Sequence, residues 1–358
     1  MRWLRGGVYT EPVKRVGFPG IGTGLPDDCD VALHPGLSTL QSALNNVPSS
    51  LNGDYVICLH GGAYGNADSV HKTGNTGDSA SERLIVKGYP GQTAQIRGYL
   101  NLSSTDTGFT IRDLFFDARF ENKSDGTTNR GNPDMEPSIH IAGSDTLFTN
   151  NHVYGGNNAT NAPSGARPMN MRSTCVGYKH NLVRSTVPKN WIHNCGVLGP
   201  YSNGQPDAHG LYTSNAANGG DVSDNLIWDN AEQGINGYGS SIGPHGVMFE
   251  GNVLWGNGRN MSINGETSGN TVRGNLFLDP LIGNDRNLSG NSTGAPTDVI
   301  DNCLDSPIKA TNVNTSGNVI VSDVSMSVSG DPRNGNFSIT TTSGCRAKYG
   351  GTMLGSPP

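Results

Sequence analysis

Val222-Ser-Asp-Asn225-Leu-Ile-Trp-Asp-Asn230, Met248-Phe-Glu-Gly-Asn252-Val-Leu-Trp-Gly-Asn257, Val272-Arg-Gly-Asn275-Leu-Phe-Leu-Asp279 and Val299-Ile-Asp-Asn302-Cys-Leu-Asp305 repeat one frame. An aliphatic residue is followed by a short polar stretch, Asn, two or three apolar residues, and then Asp or Asn. The central Asn recurs at 27, 23 and 27 residues. A fixed period in this range marks a solenoid, and the short runs between turn residues are of strand length. Leu147-Phe-Thr-Asn-Asn151-His-Val-Tyr154 follows the same frame, and Phe109-Thr-Ile-Arg-Asp113-Leu-Phe-Phe-Asp117 does so with Asp in place of Asn. The repeated Asn is expected to serve structure: it tolerates left-handed backbone angles at a turn, and stacked copies can bond their amides along the axis.

The composition agrees. Only 34% of the 358 residues are hydrophobic, and 51 are glycine. A solenoid manages with little apolar content because each coil buries a thin strip against its neighbours. The repeat therefore overrides the two or three domains that length alone suggests. A net charge of -6 argues against a nucleic-acid partner, and no stretch has the apolar length of a membrane span.

Six cysteines contain no Cys-x-x-Cys pair, which disfavours a zinc ribbon or redox motif. Chain order suggests the disulfides Cys29–Cys58, Cys175–Cys195 and Cys303–Cys345, with Cys175 and Cys195 about one coil apart. Such usage points to a secreted protein. Met1-Arg-Trp-Leu-Arg-Gly-Gly is too short and polar for a signal peptide, so the expectation is a chain that begins after its signal or is exported by another route.

Three segments follow. Residues 1–50 form an N-terminal extension with a capping helix, in which Leu37, Leu40, Ala43, Leu44 and Val47 fall at helical spacing behind Ser38 as N-cap. Residues 51–322 form the solenoid, with Tyr55-Val-Ile-Cys58-Leu as its first strand. Residues 323–358 are a C-terminal β cap and tail; the whole Ser/Thr-rich stretch from about 312 to 348 reads as a last rung and cap. The helix would close an otherwise open sheet edge.

In these features the chain resembles secreted right-handed parallel β-helix proteins, the architecture of pectate and alginate lyases, polyuronate C5-epimerases and many phage tailspikes. The resemblance spans about Cys29 to Ser322. Asn190-Trp-Ile-His193-Asn-Cys195-Gly, Asp207-Ala-His209-Gly-Leu-Tyr212 and Asp229-Asn-Ala-Glu-Gln-Gly-Ile235 look like β-helix segments of exported actinobacterial proteins. The fold class expected is all-β: a right-handed parallel β-helix.

Function is expected where coils are decorated. Insertions at about 119–137, 155–167 and 196–205 follow equivalent strands and should emerge on one side. The groove they would flank runs between about Asp117 and Asn236. It holds Lys179, Arg184, His209, Asp207 and Tyr212 as catalytic candidates and His140, Arg172, His180 and Asn236 as substrate-binding candidates. Cations in a groove suit an acidic polysaccharide. Lyases and epimerases of uronates share removal of the C5 proton, which needs a neutralised carboxylate and a base. Asp207-Ala-His209 is similar to the Asp-Pro-His signature of mannuronan C5-epimerases, with Ala at the middle position and Gly210 where an acidic residue often follows. The resemblance implies that Asp207 orients His209 or binds a cation, and that His209 is base or acid.

Strict strand alternation would place His209 inward with Leu211, and His140 and Tyr212 outward; a corner between Asp207 and Gly210 would break it. Lys179, Arg172 and Arg184 also read as solvated surface, and His193 as a packed residue. The resemblance also admits Ca2+, with Asp229 and Glu232 as ligands and Asp134, Glu136 and Asp207 as further candidates. A zinc site from His140, His180 and His209 is less favoured. The expected partner is an acidic polysaccharide, with neither nucleic acid nor membrane, and the expected state is a monomer. A glycan-binding adhesin and a glycoside hydrolase with paired carboxylates among Asp207, Asp229 and Glu232 are the alternatives.

Overall fold

A computed structural model describes residues 28–48, 50–65, 67–68, 82–102, 107–118, 120–122, 139–155, 166–168, 174–179, 185–196, 209–214, 219–239, 243–281, 287–320, 325–329, 336–340 and 345. Three all-parallel sheets, of eleven, ten and eight strands, carry almost all of the regular structure. Each coil contributes one strand to each sheet, as in Asp221–Ser223, Leu226–Trp228 and Gln233–Gly239. The chain is a parallel β-helix.

Each sheet stacks its inward residues in register. Val222, Phe249, Val272 and Val299 form one column, and Ile227, Leu254, Phe277 and Leu304 a second. Leu211, Ile235, Met261 and Leu288 form the third. All are essentially buried in one continuous core. Burying each such side chain stabilises by about 1.5–3 kcal/mol, so a thin strip per coil suffices once coils repeat.

The repeated Asn forms a ladder. Asn151, Asn190, Asn225, Asn252, Asn275 and Asn302 each donate from Nδ2 to the Oδ1 of the next, at 2.9–3.2 Å, and the ladder ends at Asn318. The second amide hydrogen reaches a carbonyl of the preceding strand, as Asn252 reaches Val222 O at 2.8 Å. Each Oδ1 also accepts a backbone N–H, as Asn275 Oδ1 accepts from Asn252 at 2.9 Å. The amide stacking matches the sequence expectation, but the left-handed turn does not. The residue before the ladder position carries the positive φ: Asn150 at 54°, Lys189 at 59°, Asp224 at 54°, Gly251 at 67°, Gly274 at 62° and Asp301 at 56°. The ladder Asn points inward, while its predecessor turns the chain.

The disulfides are Cys29–Cys58, Cys175–Cys195 and Cys303–Cys345, the pairing that chain order suggested. No helix among the described residues is long and apolar enough to cross a membrane.

The N-terminal end departs from expectation. The first strand is Val31–Leu33, which pairs with Tyr55–Leu59, so stacking begins inside the segment read as an extension. The helix Thr39–Asn45 buries Leu40 and Leu44 against the core. Ser38 makes no side-chain capping bond, and Leu37 is 43% exposed. At the other end, Val313–Ser316 and Val319–Ile320 form a last rung. The hairpin Ser325–Ser329/Asn336–Thr340 packs along the flank. Phe337 and Ile339 pack on the outer face of the ten-stranded sheet with Trp191, Trp228 and Leu276. That face is apolar on both sides, and a hydrophobic outer face needs a cover.

Candidate functional site

The insertion segments 119–137 and 155–167 come together: Phe120–Asn122 pairs antiparallel with Ala166–Pro168. The eight-stranded sheet presents a polar outward row. Register aligns Asn101, His140, Gly177, Tyr212, Asn236, Ser262 and Ser289 along the axis. His140 Nδ1 lies 2.8 Å from Asn101 Oδ1, and the Ser262 and Ser289 hydroxyls are 3.2 Å apart.

A corner in the backbone assembles the centre of this row. A Cβ on Gly210 would meet Asn230 Nδ2 at 2.8 Å and Ile227 Cγ2 at 2.9 Å, both interior atoms. Gly234, one coil on, is hemmed by Asn257 Nδ2 at 2.8 Å. In the next coil Asn260 takes this position and sends its side chain inward to Asn287 Oδ1 at 2.7 Å. Two consecutive residues therefore face the core, Gly210 with Leu211 and Gly234 with Ile235. The alternation breaks, and His209, Gln233 and Arg259 fall on the outer side. This corrects the inward placement that strict alternation gave His209.

His209 is nonetheless covered, at 4% exposure. Its ring lies 5.2 Å from that of Tyr212. Asn236 Nδ2 is 3.1 Å from His209 Nε2, and Glu232 Oε2 is 3.5 Å from Nδ1. An amide nitrogen only donates, so Nε2 accepts and the ring proton sits on Nδ1, facing the carboxylate. Nε2 is thus committed to Asn236, and Nδ1 faces Glu232 at ion-pair distance. Glu232, 6% exposed, also receives Arg259 Nη1 at 3.4 Å and Gln233 Nε2 at 2.9 Å. Gln233 and Asn236 direct their NH2 groups to Glu232 and His209, and their buried carbonyl oxygens accept no hydrogen bond from the described residues. Such unsatisfied acceptors cost about 1–3 kcal/mol each and mark this cluster as held for something other than stability.

The sequence candidates divide accordingly. His209, Tyr212, Asn236 and Glu232 meet in one cluster, and His140 lies two rungs before Tyr212 in the same row. Lys179 ends the strand Val176–Lys179, opposite Ser214. Asp207, Arg184, Arg172 and His180 lie outside the described residues, as do Asp134 and Glu136. Arg259 and Gln233 were missed; the signal was their register with His209, visible once the glycine corner at 210 and 234 is recognised.

The residues expected to hold Ca2+ do not suit a dication. Glu232 already faces a guanidinium and an imidazole N–H, whose positive ends would repel one. Asp229 occupies a turn with φ 51°, and burial pushes its carboxyl up to about 6. Among the described residues, the one group bringing three His, Cys, Asp or Glu ligand atoms together is Asp28, Cys29 and Cys58, and its sulfurs form a disulfide. Elsewhere, His193 is packed as expected: it stacks on Trp228 at 3.9 Å, with its Nε2 2.7 Å from His152 Nε2.

No protein-family model matches the chain, and no curated protein sequence matches it. Among solved structures it is similar to the pectate lyase Pel9A, with TM-score 0.47 and 12% identity over 82% of this chain and 80% of that one. It is similar to an alginate lyase from Paenibacillus sp. str. FPU-7, with TM-score 0.47 and 14% identity over 79% of this chain and 99% of that one. It is also similar to the Azotobacter vinelandii mannuronan C-5 epimerase AlgE4 A-module, with TM-score 0.38 and 12% identity over 81% and 91% of the two chains. At these identities the likeness concerns the fold alone.

Proposed function

We propose that this chain is an extracellular lyase acting, as a monomer, on an acidic, uronate-containing polysaccharide. The supporting observation is the Tyr212–His209–Glu232–Arg259 cluster at the middle of the outward row of the eight-stranded sheet. The three disulfides fit an oxidising compartment.

The chemistry assigns each group a task. Arg259 pairs the uronate carboxylate and stabilises the charge that builds as the C5 proton leaves. Tyr212, as phenolate, takes that proton. The C5–H electron pair becomes the C4=C5 double bond, the C4–O4 bond breaks, and O4 leaves with the pair and a proton returned by the phenol. His209 is a positioning residue: with Nε2 held by Asn236 and Nδ1 facing Glu232, it fixes the base of the Tyr212 ring and links it to Glu232. Glu232 orients Arg259. A guanidinium here fills the charge-neutralising role expected of Ca2+.

Incubation with alginate, polygalacturonate and hyaluronan tests this through ultraviolet absorbance of unsaturated uronate. New reducing ends without absorbance would favour a hydrolase. Retention of a polymer without either signal would favour a binding module. Exchange of the C5 proton without cleavage would favour an epimerase.

A further inference from the structure

A second row of register positions runs beside the Tyr212–Asn236 row, two residues further along each strand. Register aligns Lys179, Ser214, Tyr238 and Asn264. The Asn291 N–H donates to Asn264 Oδ1 at 3.1 Å, and Asn291 pairs in turn with Thr311, whose hydroxyl reaches Asn291 Oδ1 at 2.7 Å. The row thus continues into the regular coils as a track of amides held by their oxygens, which leaves their NH2 ends as donors.

Tyr238 stands at the head of that track. It is 40% exposed and is the one aromatic among the large exposed hydrophobic side chains of the described residues. Among the described residues its ring stacks on no other ring and its hydroxyl has no hydrogen-bond partner. Burial, capping and sheet pairing through its side chain all fail to explain it. Adjacent strands lie about 4.8 Å apart, so Tyr238 sits one rung and two residues from Tyr212. That rung spacing is close to the length of one pyranose residue, so a chain laid along the axis would place successive rings over successive rungs.

We propose that Tyr238 is the stacking platform of a second sugar subsite, and that the polymer extends from Tyr212 toward the regular coils over Asn264 and Asn291. A flat phenol ring offers a large apolar face with a polar tip at low entropic cost, which suits the C–H face of a pyranose between its hydroxyls. The subsite rests on the lyase reading for the identity of its neighbour, but binding can be measured without turnover. It also moves part of the recognition surface out of the interrupted coils and onto the regular ones.

The experiment compares the wild-type chain with Tyr238→Ala, Tyr238→Phe and Tyr212→Phe on alginate, polygalacturonate and hyaluronan. It measures kcat and KM by uronate absorbance and retention by gel electrophoresis in polymer-containing gels. Tyr238→Ala is expected to weaken retention and raise KM by roughly three- to tenfold with kcat little changed, the loss of one stacking contact. Tyr238→Phe should match the wild type. Unchanged retention and KM in Tyr238→Ala, with an active wild type, would overturn the subsite and leave the lyase reading standing. A fall in kcat alone would also overturn it. A wild-type chain that retains polymers without cleaving them, with retention lost in Tyr238→Ala, would sink the lyase and keep the subsite. No retention and no cleavage by the wild type would sink both.

Discussion

Lys189 holds φ at 59° at a position where its neighbours along the stack are Asn150, Asp224 and Gly251. Its charge acts on the Asp224 carboxylate, but its long side chain lacks the local hydrogen bonding that lets Asn tolerate left-handed angles. Lys189→Asn should raise stability by about 0.5–1 kcal/mol in urea unfolding. The next residue inward behaves oppositely. Asn252 donates two hydrogen bonds and accepts two, all buried, so Asn252→Ala strands partners on both sides. The expected loss is roughly 2–4 kcal/mol by the same measurement. The Asn frame was legible as structure from the sequence, but assigning the left-handed turn to it was not right by one residue. A period fixes spacing; which of two adjacent polar residues turns and which points inward depends on backbone angles that spacing does not contain.

Strands and hairpins set what the sequence could and could not reveal about the site. Alternation placed Tyr212 and His140 on the outer row correctly, since a strand obeys period two. It failed at His209 because two consecutive inward residues begin these strands, with Gly210 and Gly234 filling space that a side chain would contest. Gln233 and Arg259 stayed invisible for the same reason. Glycine at such a corner is a usable signal, but it reads as a generic turn until the interior atoms it would meet are known. The C-terminal hairpin was legible only in part: its weak alternation says strand but not which surface it covers. Phe337 packs against Trp191, Trp228 and Trp255 on the flank. Phe337→Ala should therefore cost roughly 3–5 kcal/mol in unfolding free energy and open the C-terminal segment to proteolysis, although the end of the stack is untouched.

Across the whole molecule, buried titratable groups pull stability in opposite directions with pH. Burial takes His152 from 6.5 down to about 4, so between these values the unfolded chain binds the extra proton and stability falls as pH falls. Burial takes Asp221 and Asp229 from 3.8 up to about 6, so between those values the folded chain holds the extra protons and stability falls as pH rises. The two trends oppose one another across the shared window from about pH 4 to 6. Asp229→Asn removes one of the opposing carboxyls and keeps a residue tolerant of φ 51°. Its stability should exceed the wild type's by about 1–2 kcal/mol at pH 7, after allowing for partial exposure, and fall less as pH rises from 4 to 6. Thermal unfolding followed from pH 4 to 7 checks both; a variant parallel to the wild type would place the raised carboxyl elsewhere.

The proposed lyase centre turns on one phenol beside one guanidinium. Its most direct test is the initial rate of unsaturated-uronate absorbance for wild type, Tyr212→Phe and Arg259→Lys on whichever of the three polymers is cleaved. The centre described here predicts a loss of at least about a hundredfold in kcat for Tyr212→Phe, the scale of a removed acid–base group. Arg259→Lys should retain partial activity, because the charge survives without the fork that pairs a carboxylate. Wild-type rates in Tyr212→Phe, with the fold intact by circular dichroism, would contradict it.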